Sequence, residues 1–168
     1  MTIRVREIMS SPAVTVSPET ALEEAAALML QGRIGCLVVV DPCDVRRPVG
    51  IVTESDFDLH DEKAPGIGYS WFRLPFLLGT TVWNEQGLEE AYERARRLPV
   101  QEVMSSPCVT IEEDDEPMLA ARRMIDHGVR HLPVLRDGVL VGIVTALDFL
   151  RLLAGEPRSG RARSRASD

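Results

Sequence analysis

The chain has 168 residues, a formal net charge of −7 and a hydrophobic share of 45%, enough for one ordinary domain or two small ones sharing a core. The acidic balance argues against a nucleic-acid-binding body, which needs clustered basic residues for phosphate, and no run reaches the ~18 apolar residues of a membrane span. The start, MTIRVREIMSSP, lacks the apolar stretch of a secretory signal, so a soluble cytoplasmic protein is expected.

The first segment, VREIMSSPAVTV (Val5 to Val16), is written again as VQEVMSSPCVTI (Val100 to Ile111), with Met9 on Met104, Pro12 on Pro107 and Thr15 on Thr110, each shifted by 95. The next element reads as a helix in both copies. Leu22, Ala25, Ala26, Met29 and Leu30 fall on Pro117, Ala120, Ala121, Met124 and Ile125, the i, i+3, i+4, i+7, i+8 stripe of an amphipathic helix. Thr20 with Glu23 predicts a capping box at the first start; Asp115, Glu116 and Pro117 predict the second, with acid at the positive helix end.

A strand, loop and strand follow in each copy: CLVVVDPCDVRRPVGIVT (Cys36 to Thr53) and HLPVLRDGVLVGIVT (His131 to Thr145), with Asp137-Gly138 as a tight hairpin turn. The first hairpin is three residues longer, so the shift falls to 92 and aligns Gly50 with Gly142, Thr53 with Thr145 and Asp56 with Asp148. Each copy is a short strand, a helix, a hairpin and a second helix. One such unit leaves a sheet face uncovered and would be marginal alone. Two can pack those faces together about a pseudo-twofold axis.

Residues 61–97 lie between the copies. Six of the chain's eight aromatics are Tyr69, Trp71, Phe72, Phe76, Trp83 and Tyr92, too many for a disordered linker. GLEEAYERARRLP predicts a helix over 85–97, with an apolar stripe of Leu88, Ala91, Tyr92 and Ala95, i,i+4 pairs Glu90→Arg94 and Glu93→Arg97, and Pro99 as its stop. The insert can cover the pair's own core, build a dimer interface, or dock a regulated partner. The copies then span 1–60 and 98–154, and the Gly/Ser/Arg-rich tail 155–168 is expected to be disordered.

Thr-x-x-Asp at a strand-to-helix junction has two readings. It is an N-terminal capping signature, in which Thr145 accepts a backbone N–H and Asp148 sits in the positive first turn. It can also bind ligand: an Asp there repels phosphate but accepts two hydrogen bonds from a ribose diol, with Thr donating or accepting beside it. The roles are compatible. Little else suggests chemistry. Cys36, Cys43 and Cys108 are odd in number and lack C-x-x-C spacing, which disfavours a disulfide framework or a zinc site. Cys36 and His131 occupy aligned positions, which alone does not put them in contact. There is no G-x-S-x-G, P-loop or H-E-x-x-H, so an enzyme is not expected. The chain has Lys63 as its one lysine against eighteen arginines, which suits bidentate phosphate contact or reflects genomic base composition.

The doubled pattern IM-S-S-P…T…A…M…L-V-V-V-D…G-I-V-T-x-x-D resembles a tandem pair of CBS domains, covering about residues 3 to 57 and 98 to 153. The resemblance implies an α/β fold of two β-α-β-β-α repeats packed with pseudo-twofold symmetry. It implies adenine nucleotides or S-adenosylmethionine as regulatory ligands in clefts between the repeats; no resident cofactor is expected beyond Mg²⁺ accompanying ATP, and no metal site, since His60, His127 and His131 are not spaced as a metal set. A homodimer and a regulated partner protein are expected. By family position the ligand would meet Thr53, Asp56, Thr145 and Asp148 at the ribose and Arg130 and His131 at the phosphate. Val14, Val38, Ile51, Val109, Pro133 and Ile143 would flank the base. Gly35 and Cys36 stand where the second copy has Arg130 and His131, though nearby Arg33, Arg46 or Arg47 could reach in, so two unequal sites are expected. The reading from another class is a constitutive interaction module with empty clefts.

Overall fold

A computed structural model describes residues 3–57 and 85–155. The aromatic-rich stretch 58–84 and the tail from 156 lie outside the described residues, and with them the expectations placed there.

The first copy contains α1 (Val5–Ile8), β1 (Thr15–Val16), α2 (Leu22–Gly32), β2 (Cys36–Asp41), β3 (Asp44–Thr53) and a 3-10 turn at Glu54–Asp56. Helix α3 (Glu85–Arg97) follows, in the stretch read as a helix from the sequence. The second copy has a 3-10 turn at Val100–Glu102, then β4 (Ile111–Glu112), α4 (Pro117–His127), β5 (His131–Arg136), β6 (Val139–Thr145) and α5 (Ala146–Leu153). Each copy forms a three-stranded sheet, β1-β2-β3 and β4-β5-β6. The edge strand runs parallel to the middle one and the hairpin closes antiparallel, with Cys36 opposite Thr53 and His131 opposite Thr145. Asp137 (φ 51°) and Gly138 (φ 78°) make the expected turn. The three extra residues of the first hairpin are absorbed by register shifts beside Val40.

The middle strand β2 is buried from Cys36 through Val40, because both of its faces are covered. Leu37 and Val39 pack with Leu22, Ala25 and Met29 of α2. Cys36, Val38 and Val40 face the other way and meet Ile51 and Ile143, so the two sheets share a core. Leu30 and Ile125, assigned to the helix stripes from spacing, point to solvent instead. The buried stripe is narrower because only one sheet face lies under each helix.

The segment leading into each copy packs on the other copy. Val5 and Ile8 of α1 join Ile111, Ala120, Leu132 and Val144, and Val100 and Val103 join Val16, Leu22 and Leu37. Their backbone donors are satisfied there too: Val5 N–H to Asp115 O (3.0 Å), Arg6 N–H to Glu113 O (3.0 Å) and, in mirror fashion, Val100 N–H to Thr20 O (2.8 Å) and Gln101 N–H to Pro18 O (3.0 Å). Buried Glu113 is also paired with Arg136, which holds its carboxyl below the ordinary range. Ser10 then exchanges both backbone hydrogen bonds with Ile143, and Ser105 does the same with Ile51. This crossing explains the repeated glycine of GIVT. A Cβ on Gly142 would lie 2.6 Å from Ser10 O and 2.9 Å from Met9 Sδ; on Gly50 it would lie 2.7 Å from Met104 Sδ and 3.0 Å from Ser105 O.

Three local readings are corrected. Thr20 does not cap α2: the N-cap is Ala21, and the Thr20 hydroxyl accepts the Ser17 N–H at 3.1 Å. That arrangement leaves the Leu22 N–H to Leu98 O and the Thr20 carbonyl to Val100, so the exchanged segment satisfies the groups a cap would serve. On α3, Ala95 is buried but Tyr92 is 62% exposed, its ring under the Arg96 guanidinium. The ion pairs there belong to Arg96, with Glu93 at 2.8 Å and Glu23 of α2 at 2.7 Å, since Arg96 lies on the side of α3 that faces α2.

Candidate functional site

The two Thr/Asp motifs build two corners with one backbone design. Thr53 (φ −125°, ψ 163°) and Thr145 (φ −126°, ψ 163°) end β3 and β6 in extended conformation. In the first corner Asp56 Oδ2 accepts the Thr53 N–H at 2.7 Å and its hydroxyl at 3.1 Å. In the second, Asp148 Oδ2 accepts the Thr145 N–H at 2.8 Å and its hydroxyl at 2.9 Å. The residue after each Thr donates its N–H to the residue before the middle strand, Glu54 to Gly35 O and Ala146 to Arg130 O, both at 2.9 Å. The capping box is real, but the Thr hydroxyl spends its proton on the carboxylate. In each corner one carboxylate oxygen is committed to the Thr.

Asp148 is 3% exposed, and its Oδ1 meets only a long 3.5 Å contact from Arg151 among the described residues. Asp56 is half-buried. The corners share a neighbourhood. Burial pushes the Cys36 thiol up to about 12, with Asp148 and Glu54 adding to the rise, so it is a protonated thiol at neutral pH, unsuited to nucleophilic attack. His131 is lowered below its ordinary value chiefly by burial; Glu54, Asp148 and Asp56 pull it back up and Arg130 lowers it further. Residues from both copies thus act on one another where β2 and β5 begin.

The apolar candidates separate into two groups. Val38, Ile51 and Ile143 form the core between the sheets, Pro133 is fully buried in β5, and Val109 packs against the second-copy core. Val14 is 42% exposed, and its carbonyl accepts the Val38 N–H at 3.0 Å; of the six it offers the most free apolar surface. Arg130 is exposed beside the second corner and His131 half-buried in β5. Sequence reasoning passed over Glu54 and Arg151. Glu54 was recoverable, since at a shift of 92 it falls on Ala146. Among the described residues no cluster of three or more His, Cys, Asp or Glu could hold a metal, and no helix is long and apolar enough to cross a membrane.

The His131 environment predicts a pH dependence. The folded state holds the imidazole below its ordinary pKa, so the unfolded state takes up the proton first as pH falls. Stability is unaffected above about pH 6.5 and declines as pH drops through and below that value. Urea unfolding at pH 7 and pH 5 checks this: His131→Gln is expected to flatten the loss over that interval.

A family model for the CBS domain matches residues 5–58 and 100–155. With two three-stranded sheets sharing a core and a Thr/Asp corner closing each, the chain belongs to the CBS-domain family. Curated relatives include uncharacterized proteins of Methanocaldococcus jannaschii, 29% identical over 90% of this chain, and Methanopyrus kandleri, 31% identical over 89%. The chain spans 32% and 62% of their lengths. Among solved structures, the CBS domain of a CBS domain containing membrane protein from Sphaerobacter thermophilus is 36% identical, with a TM-score of 0.65 over 90% of this chain and 88% of that one. Two more share the fold at 23% identity. One is a CBS domain pair complexed with 5′-methylthioadenosine and S-adenosyl-L-methionine (TM-score 0.65, covering 93% of this chain and 99% of that one). The other is a CBS domain protein of Pyrobaculum aerophilum complexed with AMP (TM-score 0.64, covering 92% and 98%).

Proposed function

We propose that this chain is a ligand-sensing regulatory module. An adenine nucleotide or adenosyl derivative (AMP, ADP, ATP or S-adenosylmethionine) binds at the Thr/Asp corners between the repeats. Its occupancy passes to a partner protein as a change in the arrangement of repeats or protomers. The observation that carries this reading is Asp148: a carboxylate 3% exposed that accepts both Thr145 hydrogen bonds on one oxygen, while among the described residues the other has only the long 3.5 Å ion-pair contact with Arg151. Withdrawing a carboxylate from water is costly without full hydrogen bonding, and a ribose diol supplies donors at that spacing. Arg130 beside the same corner suits the phosphate. Adenosine ligands in two proteins of the same fold add support. The module needs no catalytic group and no resident cofactor; Mg²⁺ enters only with ATP.

Signalling requires that the ligand bind one arrangement better than another, since equal affinity shifts nothing. The experiment is thermal unfolding of the full chain with AMP, ADP, ATP and S-adenosylmethionine. A specific ligand at a hundred times its Kd stabilises by ~2.7 kcal/mol. The competing reading, an interaction module with unused corners, draws on the same capping box, whose Thr and Asp already satisfy each other in part. It predicts no shift with any of the four.

A second copy of the chain is the proposed partner of the second repeat's helices. Met118 and Ile125 of α4 and Leu147, Leu150 and Leu153 of α5 are all exposed, and large exposed apolar side chains in such number suit an interface. Leu150→Glu is expected to convert a dimer to a monomer in sedimentation velocity while ligand affinity is kept; an unchanged dimer places the interface elsewhere.

A further inference from the structure

The two corners share a backbone but differ in charge. The residue whose carbonyl closes the corner is Gly35 in the first and Arg130 in the second; the residue that donates to it is Glu54 in the first and Ala146 in the second. The first corner therefore presents an acid where the second has a methyl group, and lacks the base that the second possesses. The Glu54 carboxyl lies directly over Gly35, with its Cδ and Oε2 each 3.3 Å from where a Cβ on Gly35 would sit. The glycine makes room for the carboxylate, and an arginine there would have to displace it. Glu54 acts on both Cys36 and His131, so its charge reaches the shared neighbourhood of the two motifs. No cation is paired with it among the described residues.

A 5′-phosphate placed at the first corner would meet two acids, Asp56 and Glu54; Arg33 lines the pocket beside Gly35 and Glu54, but no arginine stands at the position that supplies one in the second. Like charges brought together there repel, with solvent screening the exposed Glu54 in part. A sulfonium or a neutral thioether on the same adenosyl skeleton does not suffer this, and a cation there is attracted. We infer that Glu54 is a specificity-determining residue that bars phosphate-bearing nucleotides from the first corner and reserves it for an adenosyl ligand with a neutral or cationic 5′ substituent, while Arg130 directs phosphate to the second corner. This rests on the adenosine-binding reading above and assigns a different ligand class to each half of it.

Isothermal titration of the full chain with AMP and, separately, S-adenosylmethionine tests it, using wild type, Glu54→Gln, Arg130→Ala and Asp148→Ala. Wild type is expected to take one AMP per chain. Glu54→Gln, an exposed and nearly isosteric change, is expected to admit a second AMP or to tighten a weak second site at least tenfold, and to weaken S-adenosylmethionine at least tenfold. Arg130→Ala is expected to weaken AMP at least tenfold and leave S-adenosylmethionine unchanged. If Asp148→Ala abolishes AMP binding but Glu54→Gln matches wild type for both ligands, the charge sieve is overturned and the functional reading survives. If wild type binds neither ligand, both fall.

Discussion

Gly142→Val is expected to lower the unfolding free energy of the chain by about 2–4 kcal/mol, read as a reduced midpoint in urea at unchanged slope. The added Cβ would come within 2.6 Å of Ser10 O, a backbone atom that cannot swing aside. Relief requires the crossing segment to lift away. That would break the two hydrogen bonds between Ser10 and Ile143, worth about 1 kcal/mol each, and pull Val5 and Ile8 out of the second-copy core. Gly50→Val meets Met104 Sδ first, at 2.7 Å, with Ser105 O at 3.0 Å. A flexible thioether can turn away, so the loss there is expected to be smaller. The ordering tests the exchange of leading segments between the copies. Equal and slight effects would mean that neither crossing contributes much.

The second large effect is on binding. Asp148→Ala is expected to erase the ~2.7 kcal/mol stabilisation that AMP at a hundred times its Kd gives the wild type. In the absence of ligand the same change should cost little. It removes half of a capping box, worth roughly 1 kcal/mol, but also removes a carboxylate that is 3% exposed and not fully hydrogen-bonded. A variant that is as stable as wild type without AMP and gains nothing with it separates a binding role from a purely structural one. Thermal unfolding of both proteins across an AMP titration provides the comparison.

Much of this architecture was legible because the chain states it twice. Internal alignment located both sheets, the hairpin turn at Asp137-Gly138 and the paired Thr/Asp corners. Apolar spacing, charge pairing and the stop at Pro99 indicated helix α3, whose last residue is Arg97. The exchange of α1 was not legible. Val5 and Ile8 form a four-residue helix, too short for periodicity to show which surface it serves, and its partners lie more than a hundred residues away in sequence. The same cause defeated the Thr20 cap, since the groups it would have satisfied are taken by Leu98 and Val100. Spacing also put Leu30 and Ile125 in the core and Tyr92 in a buried stripe; burial depends on what stands opposite, which local pattern does not encode. At the site, the residues were visible but their inequality was only half seen. Gly35 against Arg130 was noticed as a missing base, whereas Glu54 against Ala146 adds an acid where that base is missing.

The most direct measurement is a crystal structure of the chain grown with saturating AMP. The nucleotide is expected between the repeats, its ribose hydroxyls about 2.6–3.0 Å from the Asp148 carboxylate and its phosphate toward Arg130. AMP lodged elsewhere, or the Asp148 corner unchanged and empty at saturation, would contradict it.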